Sequence, residues 1–509
     1  MIPGRFSSVM FCCLLTIPVV FSPVRGQKVT RLEILNAELT AYDIKIGKDA
    51  RKLIGNVQLR HEDVFMSCDS AYFYSATGSV DAFSRVTVIQ GDTLTLTGDL
   101  AHYNGETKIA RVRNNVKLVN NDLTLTTDIL DYFRLEGVAT YSEGGILSQG
   151  EQRLTSERGR FMLDEEIFFF MDSVIITDPE YRIITDSLKY DTQTEVSYFF
   201  GPTEIITEER YIYCEKGWYD SKKDISFVTD HASMKEDGRL LKGDTLYYEA
   251  ENGFGRARSN VELYDSTRNT TLRGHFGLYY SETETSMVTD SALMIQVDGS
   301  DTMYVHADTL RSIVNPDLEE KNRILKAYYK VKIFRRDMQV MCDSLVYIEA
   351  DSTFSFHGEP VLWSDENQLT SEKMEVVMAQ QKLYRMYLTG ISLIISQKDS
   401  SSFDQMRGKK MTGFFTDNKL TRIHVEGNGQ TVYYAVDQGE IVGANLTKCS
   451  DMMIYLKDNR VQKINYITQP DGTYYPLRLL PAEEAKLQDF RWVEQWRPMD
   501  YLDVFRWKD

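Results

Sequence analysis

Met66-Ser67-Cys68-Asp69-Ser70-Ala71-Tyr72-Phe73 is the first of eleven copies of one motif. Later copies include Leu96-Thr97-Gly98-Asp99, Leu125-Thr126-Thr127-Asp128, Ile183-Ile184-Thr185-Asp186, Leu241-Lys242-Gly243-Asp244 and Val340-Met341-Cys342-Asp343. With the acid as phase zero, the series runs Asp69, Asp99, Asp128, Glu157, Asp186, Glu215, Asp244, His275, Asp308, Asp343, Glu372. Its steps are 30, 29, 29, 29, 29, 29, 31, 33, 35 and 29 residues. A period of this length marks a repeat architecture, in which each unit stacks on its neighbours to share one core.

Position −3 is apolar in every copy, as in Leu96, Leu125, Leu154, Ile183, Ile212 and Leu241, and position −1 is always small. Position +4 is mostly aromatic, as in Tyr103, Tyr132, Phe161, Tyr190, Tyr219 and Tyr248. Successive side chains of a strand point to opposite faces, so −3 and −1 share one face and +2 and +4 share one. The two sets differ in parity, which requires a one-residue shift between them, as a β-bulge or sharp corner supplies. The acids Asp69, Asp99, Asp128, Asp186, Asp244 and Asp343 are therefore expected at structural corners, where a carboxylate accepts hydrogen bonds from freed backbone N–H groups. A calcium ladder is disfavoured, because calcium-binding β-rolls repeat about every nine residues and are glycine-rich.

Half a period away lies a second apolar run, exemplified by Gly55-Asn56-Val57-Gln58-Leu59, Asn114-Asn115-Val116-Lys117-Leu118 and Ser259-Asn260-Val261-Glu262-Leu263. Its alternation and β-branched content predict half-buried strands, about two per unit, joined by turns such as Asn104-Gly105. The expected fold is all-β: an elongated antiparallel β-jellyroll with two facing sheets and a short C-terminal tail.

The chain divides on sequence into a signal peptide (1–26), repeats over 27–314, further repeats over 315–470 after the polar insert Asn315 to Lys321, and a tail over 471–509. Arg5, the 13-residue apolar run Val9 to Phe21, and Val24-Arg25-Gly26 read as a cleavable secretory signal, hence export. Removing residues 1–26, which carry Arg5 and Arg25 and no acid, takes the net charge from −17 to −19. An acidic chain without a Lys/Arg block is a poor nucleic-acid binder. Cys68 and Cys214 share one phase five units apart, too far for a disulfide, so they read as small core residues. In the tail, Pro481 to Gln495 could form a short helix. Trp492, Trp496 and Trp507 read as a terminal cap on the last strands, or alternatively as a docking surface.

No metal-ligand spacing, nucleophile elbow, P-loop or C-x-x-C accompanies the repeat, and the expectation is a non-enzyme. What the chain carries is an apolar, aromatic lining. Either it fills itself across about 10 Å between packed sheets, or it opens along one edge as a slot for acyl chains.

The motif copies, the Gly55 to Leu59 strand, Phe403 to Gly413 and Val425 to Tyr434 together resemble the OstA-like (LptA-like) proteins of Bacteroidetes. These are related to the periplasmic bridge of lipopolysaccharide transport and to the periplasmic domain of the outer-membrane translocon. The resemblance implies a β-taco that binds lipid A acyl chains in its groove, in the periplasm, without a cofactor. It implies stacking end to end with other jellyroll proteins of the bridge and translocon, in the service of outer-membrane biogenesis. The −3 and +4 residues named above are the candidate lipid-binding groove. The rivals are a closed structural or adhesive β-solenoid and a polysaccharide-active β-solenoid enzyme; the latter needs two carboxylates within about 10 Å in an open cleft.

Overall fold

In the computed structural model the described residues are 31–42, 46–299, 301–314, 322–380, 382–457 and 460–508. The signal segment 1–26 and the insert 315–321 lie outside them. The chain is all-β, built of antiparallel strands, and among the described residues there is no α-helix. Two compact units are present, one reaching to Asn121 and one starting at Asp122.

In the first unit the strands Ala50–His61, Val64–Tyr74, Ser79–Gln90, Leu94–Asn104 and Ile109–Asn120 pair in chain order through tight turns. Each ladder breaks once, in mid-strand. Between Val64–Tyr74 and Ser79–Gln90 the register runs Met66↔Val88, Ser67↔Thr87, then resumes at Ser70↔Phe83. The strand Val64–Tyr74 buries Val64, Met66 and Cys68 before the acid, and Ala71 and Phe73 after it. The parity change expected from the sequence thus sits at the acid.

Its cause lies on the neighbouring strand. Ser84 and Arg85 have φ of 61° and 48°, and the equivalent pair Asn114 and Asn115 has 59° and 51°. Two successive left-handed residues turn the chain sharply and leave it extended on both sides. Asn, Asp, Ser and Gly tolerate this conformation best, which is why such pairs precede the valine in so many copies. The run read from sequence as the start of a second strand is therefore the middle of one long, bent strand. Each strand gives one half to a wall carrying the −3 residues and the other half to a wall carrying the +4 residues.

The second unit repeats the plan. Its corners lie at Asp172-Ser173, Asp230-His231, Ser259-Asn260, Asp290-Ser291 and Tyr329-Lys330, all at positive φ. Ladder shifts fall beside them, for example Thr229/Ala232 and Arg258/Val261. At two levels the strand is interrupted at the corner, giving short strands such as Val138–Tyr141 with Gly145–Gln149, and Thr353–His357 with Val361–Ser364. The ladder extends past residue 470 by one strand, Asp471–Pro476, on Glu440–Lys457.

The tail corrects one expectation: residues 481–495 form no α-helix. The only helical turns described in the tail are 3-10 turns at Leu477–Leu479, Glu494–Trp496 and Asp503–Phe505. The segment instead runs as an extended strap across the outer face of the −3 wall. Leu480 and Leu487 pack on Val432, Tyr434 and Ala444; Phe490 and Trp492 pack on Leu393, Ile395 and Phe403. Val493, Trp496 and Trp507 then cover Met341, Val361 and Trp363. A helix would satisfy its own backbone; the extended strap relies on buried glutamines. Gln405 donates to Ala485 O and accepts from Leu487 N, both at 2.8 Å. Gln368 does the same with Arg491 O (2.6 Å) and Val493 N (2.8 Å), and Gln339 accepts from Arg497 Nε at 2.8 Å.

Candidate functional site

All twelve residues proposed from sequence as a lining point between the walls and are buried. Leu96, Leu125, Leu154, Ile183, Ile212 and Leu241 are exposed by no more than 6%, as are Tyr103, Tyr132, Phe161, Tyr190, Tyr219 and Tyr248. The side chains between the walls pack closely, within a wall as where the cross-strand neighbours Phe161 and Phe168 stack at 3.8 Å between centroids. Tyr141 shows how tight the fit is. A Cβ on Gly159 or Gly145 would come within 2.3 or 2.5 Å of its ring. Its hydroxyl bonds Ser156 Oγ at 2.6 Å, and burial pushes the phenol up to about 12.

The corner acids lie on the closed side, opposite the bent pairs. Asp69 accepts from Ser84 Oγ (2.6 Å) and from Arg85 (2.7 Å), and the Arg85 guanidinium holds its carboxyl below the usual range. Asp99 accepts from Asn115 Nδ2 at 2.7 Å, and Asp244 from Asn260 Nδ2 at 3.0 Å. Asp343 accepts from its neighbour Ser344 Oγ at 2.7 Å. Asp186 touches Ser187 Oγ at 3.4 Å, and Asp128 holds the same phase beside Thr127, whose Oγ1 donates to Gly144 O at 2.6 Å. At Asp69, Asp99 and Asp244 the partners are thus side chains of the left-handed pair, projected toward the acid by the turn itself, while at Asp186 and Asp343 the partner is the serine that follows. A backbone N–H plays this part at Glu372, which accepts from Ile391 N at 3.4 Å.

The opposite side, where the free ends of the walls approach each other, is the mouth, and polar groups close it. In the first unit His61 Nδ1 and Tyr103 Oη lie 2.7 Å apart, and Lys108 pairs with Glu62 at 2.8 Å. In the second, Arg210 reaches from the −3 wall to Asp224 on the +4 wall at 3.3 Å and lies over the Tyr248 ring at 4.4 Å. Burial works against the Arg210 charge, but Asp224, Tyr248 and Glu236 outweigh it and raise the pKa. One level on, Arg239 donates to Tyr279 Oη (2.6 Å) and to Glu284 (2.8 Å).

Hollows lie along the mouth of the second unit, three of them lined by described residues. One of about 560 Å³ is polar, with Glu151, Asp178 and Glu180 on one lip and Glu195 and Ser221 on the other. The next, about 270 Å³, has Leu263, Leu272, Met294 and Leu325 on its floor and Arg239, Arg268, Arg323, Asp265, Glu284 and Glu349 at its rim. The third, about 290 Å³, adjoins it through Gln296 and Tyr347 and is mixed, with Met303, Met338, Phe354 and Met378 beside Asp301, Arg335, Lys382 and Asn418. An apolar cavity of about 150 Å³ already takes up a benzene-sized guest, so the second hollow holds space for several carbons of a chain. Its arrangement suits an amphiphile: apolar floor and charged rim. Among the described residues no group of acids, histidines and cysteines could hold a metal ion.

The latch residues were not identified from sequence, yet they left a signal. Position −5 has the inward parity of −3 and −1; it is Val64, Leu94 and Leu123 in the early copies but Arg210 and Arg239 later. An arginine at an inward-facing phase must find a partner at the mouth. Its partner comes from position +9, the left-handed turn residue, which is Gly78 or Gly137 in some copies and Lys108, Asp224 or Glu284 in others.

Residues 29–186 match the family model described as OstA-like protein. No curated protein matches the chain. Beyond residue 186 the same bent-strand unit continues in phase through the remaining copies.

Proposed function

We propose, from the match of residues 29–186 to the OstA-like family model, that this chain is a non-enzymatic lipid conduit. It holds the acyl chains of lipopolysaccharide or lipooligosaccharide between its two walls and carries them through the periplasm toward the outer membrane. The observation that carries this reading is the mouth. In each unit an apolar interior is closed along one side by non-covalent contacts, polar latches prominent among them, while the corner side is covalently continuous.

The energetics suit reversible opening. A charge-assisted hydrogen bond contributes about 1.5–3 kcal/mol net, and each buried methylene about 0.8 kcal/mol. About four methylenes inserted between the walls therefore offset one latch, and longer chains favour the open form. Partners are expected to be lipid A on the inside, and bridge or translocon proteins of the same jellyroll fold.

The tight filling of the interior favours a second reading, a closed structural β-stack. Photocrosslinkers placed at Leu125, Tyr132 and Leu241, with Thr126 as an outward control, separate the two in the presence of lipopolysaccharide. The conduit reading expects adducts at the inward positions only. Adducts at none of them, or equally at Thr126, would favour the closed stack.

A further inference from the structure

Glu284 sits where an incoming anion would sit. It lies in the turn after Thr270–Tyr280, at φ 47°, and its Oε2 is 2.8 Å from Arg239 on one wall and 2.8 Å from Arg323 on the other. The guanidinium fork matches carboxylate and phosphate geometry alike. Arg323 also donates to Glu284 O (2.8 Å) and Ser312 Oγ (3.2 Å), and Arg239 to Tyr279 Oη. Two arginines from facing walls thus grip one carboxylate directly above the apolar hollow floored by Leu272, Met294 and Leu325.

Resting on the conduit reading, we infer that Glu284 is a built-in stand-in for the phosphate of a phosphorylated amphiphile. When such a molecule arrives, its phosphate takes the place of the Glu284 carboxylate between Arg239 and Arg323, the turn swings out, and the acyl part enters the hollow. Among the latches described above, this is the one where releasing the internal anion leaves two cations, from opposite walls, converging on a vacated position over apolar space. At the Arg210 latch, by contrast, the acids Asp224 and Glu236 meet a single arginine. The rim sets three arginines, Arg239, Arg268 and Arg323, against three acids, Asp265, Glu284 and Glu349, so releasing Glu284 leaves the arginines one negative charge short. Burial, then Arg268, lowers the pKa of Arg323 and Arg239 adds to the effect, while Glu284 and Asp265 oppose it, so an anion is needed in place of Glu284. A dianionic phosphate answers that need better than a monoanionic carboxylate.

The test uses the full chain with three probes: bisphosphorylated lipid A in micelles, the same lipid with its phosphates removed, and inorganic phosphate. Wild-type protein should bind the phosphorylated lipid at least about tenfold more tightly than the dephosphorylated one. Glu284→Gln, which removes the competitor but keeps the shape, should tighten phosphorylated lipid about tenfold and leave the dephosphorylated lipid unchanged. Arg239→Gln and Arg323→Gln should abolish the discrimination, with circular dichroism of each variant confirming the fold. Equal binding of both lipids by wild type, or discrimination surviving in both arginine variants, overturns this inference alone. Binding of neither lipid overturns the conduit reading with it. Inorganic phosphate competing with the phosphorylated lipid at comparable affinity would assign the site to a free anion and refute the lipid headgroup.

Discussion

Gln368→Leu should release the tail strap locally without unfolding the wall beneath it. Gln368 is fully buried and makes two bonds to the strap backbone, to Arg491 O at 2.6 Å and from Val493 N at 2.8 Å. Leucine has similar bulk and neither group. Each lost bond costs about 1 kcal/mol net, so local opening becomes favoured by about 2 kcal/mol, a factor of about thirty in the opening constant. If the strap stayed down with both backbone groups buried and unpaired, the cost would rise toward about 1–3 kcal/mol apiece, which favours lifting. Residue-resolved hydrogen exchange reads this directly. The Val493 amide should exchange about thirtyfold faster, while amides in the ladder Asn367–Thr370 on Lys382–Gln397 keep wild-type protection. Gln405→Leu should do the same at Leu487. Unchanged exchange at Val493, or equal loss of protection throughout the ladder beneath, would refute the claim that these glutamines fasten a separable strap.

Gly159→Ala should destabilise the second unit by about 1–3 kcal/mol through overpacking, because the added methyl meets the buried Tyr141 ring at 2.3 Å; a lowered urea midpoint checks it. Phe168→Ala removes a fully buried ring stacked between Phe161 and Phe170 and should cost about 3–5 kcal/mol by the same measurement. The end of the strap should loosen in mild acid. His306 is buried against Phe505 at 4.7 Å, with Nδ1 3.0 Å from Ala292 O, and faces Asp308, Lys330 and Lys332. Burial lowers its pKa, so the unfolded form binds the proton more readily and the stability contribution is present above about pH 6.5, falling as pH drops toward the folded value. The protection of the Phe505 amide, relative to its intrinsic exchange rate at each pH, should therefore fall between pH 7.5 and 5.5, and His306→Gln should remove that pH dependence.

Much of this architecture is legible in the chain because the repeat fixes parity. Met66, Cys68, Ala71 and Phe73 cannot all face inward on a straight strand, and the structure resolves the conflict with the left-handed pair Ser84-Arg85 opposite. What the sequence hid was continuity. The polar dipeptide before Val116 or Val261 looks like a loop, since Asn and Ser favour turns, yet here the turn is a bend within one strand. The mouth was harder to see because several of its contacts join positions about 40 residues apart, such as Arg239 with Tyr279 and Lys108 with Glu62. The strap was harder still: its path depends on Gln368 and Gln405, whose partners lie 80 or more residues further along the chain.

The account turns on whether the walls part to admit fatty chains. Spin labels at Glu209→Cys and Lys223→Cys report this across the Arg210–Asp224 latch, since both positions are exposed and flank its two sides. Pulsed dipolar spectroscopy on the full chain should show one short distance without lipid and a shift to longer distances when lipopolysaccharide is added. An unchanged distribution in protein that photocrosslinking shows to be carrying lipid would contradict the account.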